Sequence, residues 1–140
     1  MPVARRWRVL DPPMGEGSSV TPELLDANAS LTWAPVYAEV AGALPLSSFT
    51  PTKSRTILRT QLEVTTPGPI KLKLNDATGL RAWLDTAPID PSSKEITLDV
   101  PTGVHTLTFL IENKKRTEGL RCELAEAPGS SAKAQFVAGK

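Results

Sequence analysis

The sequence predicts an all-β protein: an antiparallel β-sandwich of jelly-roll type with one short N-terminal helix. Three observations carry that prediction. From Arg55 onward, short segments alternate apolar and polar side chains with the period of two that sets one face of a strand against a core. Between them stand turn residues (Thr65-Thr66-Pro67-Gly68-Pro69, Asp76-Ala77-Thr78-Gly79, Pro101-Thr102-Gly103), giving seven or eight strands at the roughly 8 to 12 residue spacing of a sandwich. Thirteen prolines among 140 residues, about twice the usual share of roughly 5%, break any long helix.

Arg5 to Leu10 alternates through Trp7 and Val9 and stops at Asp11-Pro12-Pro13, as a short edge strand does. Gly15 to Ser19 is loop chemistry. Thr21-Pro22-Glu23-Leu24-Leu25 offers an N-cap, a proline at the first helical position and an acid in the first turn, which predicts the helix, ending near Asn28. Residues 1–30 are thus strand, loop and helix of the same domain whose sandwich core spans 31–140. Trp33-Ala34-Pro35-Val36-Tyr37, followed by Val40 to Leu46, is too proline-broken for a helix and too apolar for solvent; it predicts an irregular crossing with one short strand.

Arg55 to Val64 sets Thr56, Leu58, Thr60, Leu62 and Val64 on one face and Arg59, Gln61 and Glu63 on the other. Ile70 to Asn75 repeats the alternation. The turn at Asp76 to Gly79 predicts a hairpin into Leu80 to Asp85, with Leu80, Ala82 and Leu84 inward and Arg81, Trp83 and Asp85 outward. After a loop from Ala87 to Pro91, Glu95 to Val100 buries Ile96, Leu98 and Val100, and a tight turn leads into Val104 to Glu112. That strand is apolar on both faces, so it is expected at the centre of a sheet. Asn113 to Gly119 is a polar, basic loop. Leu120 to Ala125 follows as a strand with Leu120, Cys122 and Leu124 inward, and Ala134 to Ala138 adds one more.

Length and composition bound the function. A chain of 140 residues and 15.0 kDa fits one core, and 40% apolar with 22% charged residues is ordinary for a globular domain. Sixteen basic against fifteen acidic residues leave a charge of +1, so no bulk attraction to nucleic acid is expected. No run of about 20 apolar residues predicts a membrane span. One cysteine and one histidine exclude an intrachain disulfide, a cysteine-built zinc cluster and a two-histidine metal site. The first thirteen residues have basic groups but no apolar run behind them, so no secretory leader is expected; Met1 reads as the start of a small protein or of a domain cut from a longer one. Cys122 is expected to be a small buried apolar residue.

The stretches GPIKLKLNDATGLRAWLDTAPI, EITLDVPTGVHTLTFLIE and GLRCELAEAPGS resemble the family of PA14-like β-sandwich modules, with Asp76, Gly79, Trp83, Asp85, Gly103 and His105 standing at the marks of that pattern. Together with Trp33-Ala34-Pro35-Val36-Tyr37 and Ala138-Gly139-Lys140, they are similar to the C-terminal module of planctomycete-type multidomain haem-binding, sugar-dehydrogenase-like proteins. The resemblance spans roughly residues 31 to 140. It implies a non-catalytic binding or docking module of a larger extracytoplasmic protein, periplasmic or secreted, whose partners are neighbouring domains or a carbohydrate. The alternative it leaves is a purely structural domain of a c-type cytochrome-dehydrogenase assembly. The haem signature Cys-x-x-Cys-His is absent and no Asp-Asp pair is present, so neither covalent haem nor a calcium-dependent sugar site is expected, and no cofactor is implied.

The residues singled out for binding are Lys71, Lys73, Arg81 and Trp83 on the outer face of the expected hairpin, with Asp76 and Asp85 near its ends. Cations beside an exposed indole suit a sugar ring or an acidic partner surface; the plainer reading is that the lysines solubilise a sheet face and pair with Glu95 and Asp99. Asn75, Asp76 and Asp85 are oxygen ligands too few for calcium, which takes about 6 to 8. Asp76 and Asp85 as a glycosidic acid pair would make an enzyme, a lesser alternative. No nucleophile motif accompanies His105, which is expected to be structural. Lys114-Lys115-Arg116 is expected to be a solvated loop tip. An apolar patch near Trp33, Tyr37 and Leu44 would mark a structural cap.

Overall fold

The computed structural model describes residues 3–10, 20–25, 31–45, 55–91 and 93–137, with the side chain of Lys114 left aside. The loop expected at Gly15 to Ser19, the helix end near Asn28 and the terminal Ala138 lie outside the described residues. The strands are β1 (Arg6–Leu10), β2 (Trp33–Tyr37), β3 (Arg55–Thr66), β4 (Gly68–Leu74), β5 (Leu80–Leu84), β6 (Ala87–Ile89), β7 (Glu95–Val100), β8 (Gly103–Glu112), β9 (Cys122–Glu126) and β10 (Lys133–Phe136). Helix α1 covers Pro22–Leu25, with Thr21 Oγ1 accepting from Leu24 N–H at 3.4 Å. The all-β sandwich is confirmed. Seven strands form one sheet, β2-β1-β3-β8-β5-β6 with β10 also on β3, and three form the other, β7-β4-β9.

Alternation places the core. Leu58, Leu62, Val64, Leu107, Phe109, Ile111, Leu80 and Ala82 face Ile70, Leu72, Leu74, Ile96, Leu98, Cys122 and Leu124 across the gap between the sheets. Trp7 closes one side, its ring 5.8 Å from that of Phe109 and its indole N–H donating to Ala4 O at 3.2 Å. β8 lies between β3 and β5 as its two apolar faces require.

The hairpin expected from Ile70–Asn75 into Leu80–Asp85 does not form, and the two strands joined by the tight turn at Pro101 to Gly103 do not pair with each other either. β4 pairs with β7 and β9, not β5; β8 pairs with β3 and β5, not β7. The turns at 75–79 and 101–102 carry the chain from one sheet to the other, so each strand pair puts its apolar faces against each other instead of side by side. From β3 to β10 every step except β5 to β6 changes sheet. β1 is likewise not an edge strand: it lies between β2 and β3, and the edge belongs to β2, where Pro35 needs no ladder N–H. The loop expected at Ala87 to Pro91 contains the short strand β6.

The crossing after β4 is tied by a buried guanidinium. Arg116 is 5% exposed and donates from Nη1 to Asp76 O at 2.8 Å and Thr78 O at 2.9 Å, and from Nη2 to Gly119 O at 2.8 Å. Asn75 joins the same knot, donating to Gly119 O at 2.9 Å and accepting from Arg121 N–H at 2.9 Å. This corrects the expectation of a solvated tip for Arg116. Gly119 has no substitute here, since a Cβ would collide with the carbonyl oxygen of Leu44, which itself accepts from Leu120 N–H at 2.9 Å.

Candidate functional site

The crossing topology disperses the residues singled out from the sequence. Lys71 and Lys73 lie on the outer face of the small sheet, where both reach Glu95, at 3.7 and 3.6 Å. Arg81 and Trp83 lie on the outer face of the large sheet, on the opposite side of the molecule's core. Trp83 points outward as expected, yet it is 8% exposed. It belongs to a second apolar cluster with Leu10, Leu25, Ile57 and Leu110, because α1 packs its Leu25 onto that face. The indole is thus covered by the protein itself and is not an exposed platform. Arg81 lies 5.6 Å from its ring.

The two aspartates stand at opposite ends of β5, with roughly 13 Å of strand between them at about 3.3 Å per residue, so they do not form the acid pair the enzyme alternative needs. Asp76 Oδ1 accepts from Thr78 N–H at 2.9 Å and Thr78 Oγ1 at 2.7 Å. Those bonds, led by the backbone one, hold its carboxyl below the ordinary aspartate value. Turn formation is its part. Among the described residues no three acids, histidines or cysteines gather as a metal set.

Asp85 takes a left-handed backbone, φ 54°, directly after β5. Its Oδ1 accepts from Thr106 N–H at 2.9 Å, and its Oδ2 meets His105 Nδ1 at 2.7 Å. The other ring nitrogen, Nε2, meets Pro101 O at 2.8 Å. Carboxylate and carbonyl are both acceptors, so only the imidazolium donates both bonds at once. Burial, the largest influence, works against that charge, but the bonds to Asp85 and Pro101 outweigh it and the His105 pKa lies above its ordinary value. Both ring nitrogens are engaged within the fold, one by an acid partner twenty positions earlier in the chain that no motif announces.

A cleft lined by several arginines lies elsewhere, on the outer face of the large sheet. β10 and β1 lie end to end along the same edge of β3: β10 pairs with Leu62 to Thr66, β1 with Leu58 and Arg59. Val137 N–H donates to Gln61 O at 2.8 Å, and Thr60 Oγ1 donates to Arg6 O at 2.8 Å. The notch between the two strand ends opens as a cleft of about 280 Å³, lined among others by Arg6, Arg8, Arg59, Gln61, Pro35 and Tyr37. Register sets these side chains together: Arg8 is opposite both Pro35 and Arg59, and Arg6 is opposite Tyr37. The Arg59 guanidinium sits 4.0 Å over the Trp33 ring. Burial and the neighbouring Arg8 charge both lower the Arg59 pKa. Tyr37 is 60% exposed at the rim, whereas Leu44 is fully buried and Trp33 lies under Arg59. The apolar patch of those three that would have marked a structural cap is therefore not there.

A larger opening, about 650 Å³, lies between β9 and β10, with Ile70 and Leu124 of the core in its floor and Lys73, Lys133 and Glu126 at its rim. It is the unsealed side of the sandwich. The alternation puts Arg59 and Gln61 on the outer face; Tyr37 stands out in the sequence only as part of a possible apolar patch, and Arg6 and Arg8 not at all, although the phase of β1 points both arginines away from the core.

Comparison with known protein families, curated proteins and solved structures finds no match to this chain.

Proposed function

We propose that this sandwich is a non-catalytic binding module, PA14-like in kind, belonging to a larger extracytoplasmic protein, and that it grips a glycan through the cleft between β1 and β10. The observation that carries the reading is the cleft itself. It puts guanidinium and amide donors and an exposed phenol ring together on strands of the large sheet, and sites built on strands hold their geometry better than sites on loops. Sugars are bound by such planar donors together with an aromatic ring at the rim. The first-named residues Lys71, Lys73, Arg81, Trp83, Asp76 and Asp85 do not converge, so the binding role passes from them to Arg8, Arg59, Gln61 and Tyr37. Fold alone assigns no function, and the resemblance supplies the extracytoplasmic setting.

A glycan array followed by isothermal titration with the intact chain tests this. Binding of a defined glycan class that Tyr37→Ala weakens supports the reading. Silence across a broad panel of cell-wall and storage glycans removes it, and leaves the docking domain of a cytochrome-dehydrogenase assembly as the remaining form of the proposal.

A further inference from the structure

We propose that the cleft between β1 and β10 is an oxyanion site, and that its ligand is an acidic glycan presenting a carboxylate or sulfate group to Arg8 and Arg59. This rests on the reading of the cleft as the binding face and names the chemistry it selects.

Arg8 and Arg59 are directly opposed across neighbouring strands on one face of the sheet. Like charges in that position repel and weaken the pairing of the strands. Among the described residues no carboxylate bonds either of them, whereas Arg55 meets Glu112 at 2.9 Å and Arg121 meets Glu123 at 2.9 Å. The Arg59 head is also held: its guanidinium carbon lies 4.0 Å from the centre of the Trp33 ring, and the residue is partly buried. A partly desolvated guanidinium over an aromatic ring, with a second cation on an exposed residue beside it, is a poor arrangement for the free protein and a prepared one for an anion. Carboxylate and sulfate match its planar fork with two parallel bonds, and partial removal from water strengthens the pair.

Size and rim narrow the ligand. At about 280 Å³ the cleft falls at the lower limit of small-molecule sites, about 300 to 1,000 Å³, which suits one acidic ring. Gln61 is exposed on the same face and lines the cleft, offering an amide to a hydroxyl, and Tyr37 offers a ring face at the rim. A formal charge of +1 supplies no broad field for a nucleic acid, so the attraction is confined to the notch.

The test is isothermal titration of the intact chain with four probes: a heparin-derived tetrasaccharide, trigalacturonate, cellotetraose and a single-stranded oligonucleotide. The acidic glycans are expected to bind and the neutral one to fail, with affinity falling as salt rises. The heparin and galacturonate arms tell sulfate from carboxylate. Arg8→Gln and Arg59→Gln are each expected to weaken acidic binding at least about tenfold, the scale of losing a charge-assisted bond. Arg8→Gln is further expected to leave the melting temperature of the free protein unchanged or raised, since it relieves the repulsion. Acidic binding indifferent to both variants overturns the inference, as does equal affinity for a single-stranded oligonucleotide. Cellotetraose binding that Tyr37→Ala abolishes and Arg8→Gln does not affect keeps the cleft as the binding face and removes the oxyanion. Silence of every probe removes both.

Discussion

Truncating Arg116 to alanine is the sharpest test of how the two sheets are joined. Its guanidinium makes three short bonds to main-chain carbonyls, those of Asp76, Thr78 and Gly119, and a fourth, long contact of 3.5 Å to Asn75 Oδ1. Two of the carbonyls belong to the crossing from β4 to β5 and one to the approach to β9, so a single side chain clamps segments from both sheets. Bonds with one charged partner contribute about 1.5 to 3 kcal/mol each, and they do not add fully because water reaches some orphaned carbonyls. A loss of about 3 to 5 kcal/mol is therefore expected for Arg116→Ala, a large part of the roughly 5 to 15 kcal/mol that holds a domain together. Arg116→Lys should lose about 2 kcal/mol, since an ammonium cannot span the fork. Urea unfolding followed by tryptophan fluorescence reads this directly: with a slope of about 2 kcal/mol per molar, the alanine midpoint should fall by about 2 M. Lys73→Ala, which removes an exposed contact to Glu95, serves as the control and should move stability by no more than about 0.5 kcal/mol. A loss below about 1 kcal/mol for Arg116→Ala would refute the view that these bonds fasten the crossing.

Other consequences follow from burial and charge. The His105 pKa lies above its ordinary value, so its contribution to stability is fully present below about pH 6.5 and is lost as pH rises through the folded value. NMR titration should show the raised midpoint, and Asp85→Asn, which tolerates the left-handed backbone at that position, should lower it; an unchanged midpoint would remove Asp85 as the cause. Burial pushes the Cys122 thiol far above the ordinary range, so a disulfide reagent should label it only under unfolding conditions; rapid labelling of the native protein would contradict its position in the core. Trp83→Ala should cost about 3 kcal/mol by opening the cluster beneath α1, measured by thermal melting, while leaving any ligand binding found at the cleft between β1 and β10 unchanged.

The strands were legible because alternation is a property of each segment alone. Thr56 to Val64, Ile70 to Leu74 and Ile96 to Val100 declare their inner faces in the sequence, and the two-faced apolar character of Val104 to Glu112 declares a central strand. Pairing is another matter. The turn Asp76-Ala77-Thr78-Gly79 has hairpin chemistry, and the same residues serve a crossing; what selects the crossing is Arg116, forty positions away from Asp76 in the chain. The candidate site failed at the same step. Lys71 and Trp83 both point outward, but outward from different sheets, and the cover over Trp83 comes from Leu25, 58 positions earlier. Periodicity reports the phase of a side chain and carries no information about which layer it leaves or what lies over it.

Arginine shows why the partner, and not the residue type, decides the role. Arg116 and Arg59 both lose solvent, and burial lowers the pKa of both. For Arg116 the opposing influences are Asp76 and Glu118, and both terminal nitrogens donate to carbonyls fixed by the fold, although the buried Nε–H finds no partner among the described residues, so the charge is met mostly from within. For Arg59 the second influence is another cation, Arg8, and the stacked partner is the ring of Trp33, which accepts no conventional hydrogen bond. Contact with a ring face restrains the guanidinium without using up its N–H donors. A fold that needed Arg59 only for packing would gain by placing a neutral residue at position 8, because the opposing charge weakens the pairing of β1 with β3. On the proposed reading of the cleft, an anion arriving from outside the chain accounts for two opposed cations there.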